Sequence, residues 1–253
     1  MLDSALWGLV QGLTEFLPIS SSGHLVLVPA FLNKDAPDLA TTAVLHLGTL
    51  AAVLWYFRRD IAWLVRTDRD PQAWHIVKLL ALGTVPAVVA GLLLESTLED
   101  LFHSPTRVGL ALIFTGIVLL AGGSFHRLTR TLEEAGVPDA IIVGSAQAVA
   151  LVPGVSRSGM TITASLGRGF TKEQSARFSF LLAVPVILGG GAKQMLDLAG
   201  EGGLEWDLLV GVLVAAVSGY VAIAVLIKAL IRYGLEPFAL YCFAVGLVAV
   251  IWY

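Results

Sequence analysis

Charge is scarce in this chain. Asp, Glu, Lys and Arg make up 14% of its 253 residues, against about 25% in a soluble domain, which excludes an ordinary water-solvated globule. A single cysteine, Cys242, rules out an intrachain disulfide. Basic stretches interleaved with aromatics, paired Cys/His spacings and low-complexity tails are all missing, so no nucleic acid, zinc module or disordered arm is expected. The opening MLDSALWGLVQGL has no cationic n-region, and no cleaved leader is expected. A net charge of −3 points to no class of partner. What fills the chain is apolar: 57% hydrophobic residues and a mean hydropathy of +0.82. Membrane lipid is the expected surrounding.

Six stretches are long and apolar enough to cross a bilayer, which takes about 20 residues: 39–57, 75–95, 106–123, 175–196, 207–230 and 235–253. Two others, 2–33 and 138–168, are broken in the middle by Pro, Ser and Gly, and their second arms are too short to span. Each reads as a re-entrant helical hairpin, with broken backbone allowed at membrane depth only where protein or a wet cavity satisfies it. The expected fold is all-α and integral to the membrane: six transmembrane helices plus two re-entrant helical hairpins. The chain is one membrane domain, 1–253, with internal repeats at about 1–123 and 138–253. Three spans per repeat put the second hairpin on the opposite face from the first, an inverted-topology repeat.

Cations sort accordingly. Arg58, Arg59, Arg66, Arg69, Lys78, Arg127, Arg130, Arg168, Lys172, Arg177, Lys228 and Arg232 fall on one face, whereas Lys34, Arg107 and Lys193 fall on the other. The first face is therefore expected to be cytoplasmic. Both termini and the acidic loops 95–105 and 197–207 would then face outward. Trp55, Tyr56, Trp63, Trp74, Trp206, Trp252 and Tyr253 suit interface belts. Gly189, Gly190 and Gly191 suggest close helix contact, and Gly136–Pro138 a turn between halves. Arg177 reads as a positive-inside anchor.

The two hairpins carry almost every polar residue of the apolar stretches, in matching order. QGLTEFLPISSSG (11–23) and QAVALVPGVSRSG (147–159) both place Gln twelve positions before Gly, with Pro and a Ser-bearing turn between. Gln11 and Glu15 share one helix face. A carboxylate inside the membrane is costly and usually functional; with the neutral oxygen of Gln11, Glu15 could help hold a divalent cation. Ser20, Ser21, Ser22 and Gly23 open a helix whose free amides and hydroxyls make an anion cradle, though Ser runs also cap helices without further role. His24 is the candidate for proton transfer or attack on phosphorus. Arg157, among Gly154, Ser156, Ser158 and Thr161, offers paired donors that match a phosphate. Its local sequence holds no acid, so the competing partner is Glu15 across the molecule. His46 is either a supporting partner of the site or plain packing. An acid, an imidazole and a guanidinium in apolar surroundings point to phosphate chemistry at a membrane.

GLTEFLPISSSGHLVL (12–27) and LVPGVSRSGMTI (151–162), with HLGTLAAVLWYFRRD (46–60) and ARFSFLLAVP (176–185), resemble the undecaprenyl-diphosphate phosphatase family of bacitracin-resistance membrane enzymes across essentially the whole chain. The resemblance implies hydrolysis of undecaprenyl diphosphate to the monophosphate lipid carrier used in peptidoglycan synthesis. It also implies a bacterial cytoplasmic membrane, a site open to the outer face, and dependence on Mg²⁺ or Ca²⁺. The family's paired Glu positions fall on Gln11 and Glu15, so one anionic metal ligand is replaced by an amide. Its essential Ser and His fall on Ser21 and His24, and its second motif on Pro153, Gly154, Ser156, Arg157, Ser158 and Thr161.

The catalytic set expected is therefore Glu15, Ser21, His24 and Arg157. Gln11, Ser20, Ser22, Gly154, Ser156, Ser158 and Thr161 would hold substrate, and Glu15 with Gln11 the metal. Ser21 activated by His24 is the favoured nucleophile, with direct attack by His24 or by water as alternatives. The partners expected are a prenyl diphosphate and membrane lipid, with a homodimer left open. A lipid transporter or flippase of inverted-repeat type is the competing class.

Overall fold

A computed structural model describes residues 2–102, 104–200 and 206–253 of the protein, apart from the side chains of 39, 95–100, 102 and 191–200. Among these residues the chain is helical throughout, in eleven α-helices and one short 3₁₀ turn, with a lone bridge between Arg130 and Phe170 in place of any strand.

The first broken segment forms α1 (Leu2–Phe16) and α2 (Ser21–Leu32). Pro18 separates them, since it lacks an amide hydrogen and pushes the preceding residue out of helical geometry. Ser20 then caps α2, its hydroxyl accepting from Gly23 N at 3.2 Å. The second forms α7 (Val137–Val149) and α8 (Arg157–Gly167), capped by Ser156, whose hydroxyl accepts from Gly159 N at 3.1 Å.

Between and after them lie α3 (Leu39–Tyr56), α4 (Arg58–Leu64), α5 (Pro71–Phe102), α6 (Pro105–Gly123), α9 (Lys172–Gly200), α10 (Trp206–Tyr233) and α11 (Glu236–Trp252). Three described helices are long and apolar enough to cross a membrane, within Pro71–Leu94, Pro105–Gly123 and Trp206–Tyr233; α3 and α4, bent by 81°, pass the same test only when taken together as one span. Large apolar side chains such as Leu92, Leu93, Leu213 and Val217 project outward from α5 and α10, which suits a lipid surround rather than water. The chain is a multi-pass membrane protein.

Two expectations change. The segment 95–105, read as a loop, is helical as far as Phe102, because Glu95–Phe102 holds no Gly or Pro and the first breaker is Pro105. Among the described residues, an added Cβ on Gly189 or Gly190 would meet nothing within 4 Å, so these glycines make no close contact with any described helix. Gly191, the side chain of Lys193 and, within 197–207, residues 201–205 lie outside what is described.

Close contact occurs elsewhere. A Cβ on Gly8 of α1 would stand 2.2 Å from Gly211 O of α10, and one on Gly144 of α7 would stand 2.3 Å from Gly83 O of α5. Gly8 and Gly144 hold the same position in the two Gln-to-Gly motifs, three residues before Gln11 and Gln147. Each hairpin's first arm thus packs backbone to backbone on a long helix of the other half. The third long helices of the halves, α6 and α11, also pair, as do the first, α3 and α9. This crossed packing brings the two broken tips together at the centre.

Candidate active site

The tips touch directly. Ser158 Oγ donates to Leu17 O at 3.1 Å, and Ser20 Oγ lies 3.4 Å from Val155 O. In each tip the capping hydroxyl also meets the hydroxyl two residues on, Ser20 with Ser22 and Ser156 with Ser158, both at 3.2 Å. Gly154, at φ 92, lets the second tip lie on α6, where an added Cβ would come within 2.5 Å of Val108 O. Thr115 of α6 fixes that turn, donating to Gly154 O at 3.1 Å and accepting from Ser156 N at 3.2 Å.

Across this junction Arg157 Nη2 donates to Glu15 Oε1 at 2.5 Å, between residues 142 apart in sequence. The other carboxylate oxygen accepts from Ser21 Oγ at 2.5 Å and from Gln11 Nε2 at 3.0 Å. His46 stands behind it, Nε2 at 3.5 Å from Glu15 Oε2 and Nδ1 held by Thr42 O at 2.7 Å. Of the two readings open for His46, support of the site is the one the geometry favours. Glu15 is 7% exposed while Ser21 is more open, so the carboxylate is buried with its charge met by guanidinium, hydroxyl and amide.

Two polar atoms here are left over. Gln11 Oε1 and Arg157 Nη1 are buried without a hydrogen-bond partner among the described residues. Buried polar atoms are rarely left so, and these are one acceptor and one donor on opposite sides of the Glu15 carboxylate. A hard cation would satisfy the first and a phosphate oxygen the second.

His24 is held differently. Ser20, at φ 69, turns its carbonyl toward the imidazole, which it meets at 2.7 Å from Nδ1. A carbonyl only accepts, so Nδ1 carries the hydrogen and Nε2 of the neutral ring is the basic atom. Nε2 meets Tyr241 Oη at 2.8 Å, with the rings stacked at 13°. Ser21 therefore bonds to Glu15 while His24 bonds to Tyr241. The favoured pairing of Ser21 with His24 is replaced here by a serine–carboxylate pair, because Ser21 lies on the side of the helix opening that faces α1.

Of the residues expected to hold substrate, Gln11, Ser20, Ser22, Ser156 and Ser158 all gather at the tip junction. Thr161 does not share that opening: its hydroxyl is fully buried, donating to Arg157 O at 2.8 Å and joined to Ser179 Oγ at 2.6 Å. It holds Arg157 from beneath.

Nearly the whole chain matches a known family. The profile described as "Bacitracin resistance protein BacA" matches residues 4–248. The chain belongs to the BacA family. It is 42% identical to the undecaprenyl-diphosphatase of Geobacter sulfurreducens over 257 residues, covering 97% of this chain and 96% of that one. It is 44% identical to that of Gemmatimonas aurantiaca over 249 residues, covering 95% and 93%. It is 44% identical to that of Rubrobacter xylanophilus over 260 residues, covering 97% and 96%.

Three contributors to this BacA site escaped the sequence reading: Tyr241, Thr115 and Ser179. Tyr241 left a trace, since a hydroxyl in the apolar run ALYCFAV stands well inside its helix, away from the interface positions Trp252 and Tyr253. Thr115 and Ser179 left none, because a small hydroxyl in a membrane helix ordinarily bonds its own backbone.

Proposed function

We propose that this protein is an undecaprenyl-diphosphate phosphatase of the bacterial cytoplasmic membrane, releasing the terminal phosphate and returning the lipid monophosphate carrier to peptidoglycan synthesis. The observation that carries it is the buried junction Ser21–Glu15–Arg157, in which a hydroxyl, its acceptor and an anion clamp meet from two hairpins. Membership of the BacA family and the names of its relatives support the substrate class. We further propose six spans and two re-entrant hairpins in an inverted repeat, with the site draining to the outer face; the crossed helix pairing and the asymmetry of Arg and Lys support this.

In the mechanism we favour, Arg157 leaves Glu15 to grip the terminal phosphate, its spare Nη1 finding an acceptor there. Ser21 Oγ attacks phosphorus and its proton passes to Glu15 Oε2. The bond from phosphorus to the bridging oxygen breaks, and prenyl monophosphate departs. Water then attacks the phosphoserine and gives a proton to His24 Nε2; the bond between phosphorus and Ser21 Oγ breaks, Glu15 returns its proton to Ser21 Oγ, and inorganic phosphate is released. Phosphoryl transfer asks mainly for positioning and charge neutralisation, and these the tips provide through Ser20, Ser22, Ser156 and Ser158. Gln11 Oε1, the Glu15 carboxylate and Ser21 Oγ are hard oxygen donors that would suit Mg²⁺ or Ca²⁺. Such an ion, when bound, would neutralise diphosphate charge.

The decisive experiment is phosphate release from undecaprenyl diphosphate by the purified protein in detergent. No sealed compartment exists there, so a pure transporter gives none. Acid quench with labelled substrate then sorts the nucleophile: an acid-stable adduct fits Ser21, an acid-labile one His24, and no adduct fits water.

A further inference from the structure

The second half of the proposed reaction needs a base that the first half does not. Glu15 Oε2 takes the proton of Ser21 Oγ in the first step and returns it when the bond from phosphorus to serine breaks. Between those events the carboxyl is occupied and cannot receive a proton from water. His24 can. It lies three residues beyond Ser21 at the opening of α2, and so is its neighbour on the helix surface.

The neutral imidazole has one basic lone pair, and a side chain already holds it. Nδ1 faces Ser20 O at 2.7 Å and keeps its hydrogen, so at Nε2, 2.8 Å from Tyr241 Oη, the phenol is the donor. His24 is 5% exposed and Tyr241 42%, so what reaches the pair from outside meets the tyrosine first. Tyr241 is tied to both tips. Its neighbour Cys242 is fully buried with Sγ 3.7 Å from Pro18 O of the first tip. Its helix, α11, pairs with α6, on which the second tip is seated. Its ring is stacked on the imidazole, 13° from parallel with centroids 5.6 Å apart.

The same arrangement fits the charged ring. An imidazolium donates from both nitrogens, and both of its neighbours are oxygens that can accept, the Ser20 carbonyl and the phenol. A hydroxyl changes from donor to acceptor by rotation alone. The pair can therefore take up a proton and give it back with no movement of a helix.

We propose that Tyr241 is a catalytic residue of the second step, standing between the attacking water and His24. As the water oxygen bonds to phosphorus, a water proton moves to Tyr241 Oη and the phenol hydrogen moves to His24 Nε2. The bond from phosphorus to Ser21 Oγ breaks, and Glu15 returns its proton to that oxygen. This leaves inorganic phosphate, free Ser21, a neutral phenol and an imidazolium. The imidazolium resets along the same path, Nε2–H to Oη and the phenol hydrogen to the departing phosphate. The step rests on the phosphatase reading with Ser21 as nucleophile, and gives dephosphorylation to a tyrosine–histidine pair drawn from positions 217 residues apart.

The test follows phosphoenzyme and phosphate together, with labelled undecaprenyl diphosphate and the full-length protein in detergent. Tyr241→Phe keeps the ring and removes the relay. It should lower steady-state kcat by about tenfold or more, leave first-turnover release of undecaprenyl phosphate unchanged, and let acid-stable phosphoserine accumulate. His24→Gln should show the same accumulation. Tyr241→Phe with His24→Gln should be no slower than the slower single variant, because the two residues act as one unit. Tyr220→Phe, in a ring packed on Tyr56 at 5.4 Å, should leave every reading at wild type. Near-wild-type turnover in Tyr241→Phe overturns the relay. So does a slow Tyr241→Phe enzyme whose first turnover falls equally, with no phosphoserine accumulating, or losses in the single variants that multiply in the double one. Wild-type protein that releases no phosphate refutes the phosphatase reading itself, a result distinct from these.

Discussion

Two carboxylates are buried among the described residues of this membrane protein, and their surroundings differ in one respect. Asp139, at the start of the second hairpin, accepts from Arg130 on both oxygens at 3.1 and 2.7 Å, from Arg168 Nε at 2.7 Å and from Gly136 N at 2.9 Å. Arg130 is in turn used up, donating to Arg168 O and Glu134 O and lying over the Phe170 ring. No buried polar side-chain atom of that cluster is left without a partner among the described residues. Glu15 has one arginine, and next to it sit an unpartnered amide oxygen and an unpartnered guanidinium nitrogen. A buried ion pair that closes on itself holds a fold together; one that leaves donors and acceptors open is set up to exchange partners. Asp139 locks α7 to the polar end of α8, and Glu15 waits at the tips.

Substitution should separate the two. The largest effect expected is on rate: Glu15→Gln or Arg157→Ala should cost about 10²–10⁴ in kcat, read as phosphate release per mole of folded enzyme. Either variant retaining near-wild-type turnover would remove Glu15 and Arg157 from the chemistry. Asp139→Ala should do the reverse. Breaking this pair leaves two partly exposed guanidinium groups without their carboxylate, so solvent offsets part of the about 3–5 kcal/mol that a fully buried pair would cost; the loss is seen as a lowered thermal midpoint, while the folded fraction turns over within about twofold of wild type. If Glu15→Gln proved the more destabilising of the two, the distinction between open and closed pairs would fail.

How much of this could be read beforehand differs between the two clusters. Gln11, Glu15, His24 and Arg157 were legible because a charge or imidazole inside an apolar stretch has few structural excuses. The meeting of Gln11 and Glu15 with Arg157 was legible too, from the matching Gln-to-Gly spacing of the two motifs. Asp139, Arg130 and Arg168 were not, since they sit among the many charges of the cationic face and look like ordinary interface residues. Arg177 is a similar case. Expected to be an anchor, it also pairs with Asp60 at 2.6 Å and Glu133 at 2.7 Å, tying the α4 turn to the link between halves. Partner choice among surface charges depends on the packing of helices far apart in sequence. The contact of Tyr241 with His24, across 217 residues, was beyond reach for the same reason. Bends are legible only when a breaker residue makes them: Pro18 announced the first tip, whereas the turn from α3 into α4 at Phe57 had no such sign.

Capping serines give a finer comparison. Ser20 and Ser156 hold the same position in their motifs and make the same bond to the Gly three residues on. Ser156→Ala should cost about 1 kcal/mol of stability with a modest loss of rate. Ser20→Ala should cost a similar amount and lower kcat more, because Ser20 has a positive φ and its carbonyl sets the imidazole. Equal losses of rate in the two variants would mean that the Ser20 turn only caps its helix.

The smallest effect should come from the hairpin staples. Asp3 and Asp139 occupy equivalent places, eight residues before Gln11 and Gln147, and each pairs with a base just beyond its own hairpin: Asp3 with Lys34 at 2.5 Å, Asp139 with Arg168 at 2.7 Å. The geometry is alike and the burial is not. The Lys34 and Asp3 side chains are 44% and 64% exposed, whereas Asp139 is 3% exposed. Water screens the first pair, and such pairs contribute little, so Lys34→Ala should leave the thermal midpoint where it was. Arg168→Ala should lower it, since Asp139 would lose a partner it cannot replace with solvent. A clear drop for Lys34→Ala would show that the outer staple holds α2 against α1. That would extend to the first hairpin the structural role here assigned to the second alone.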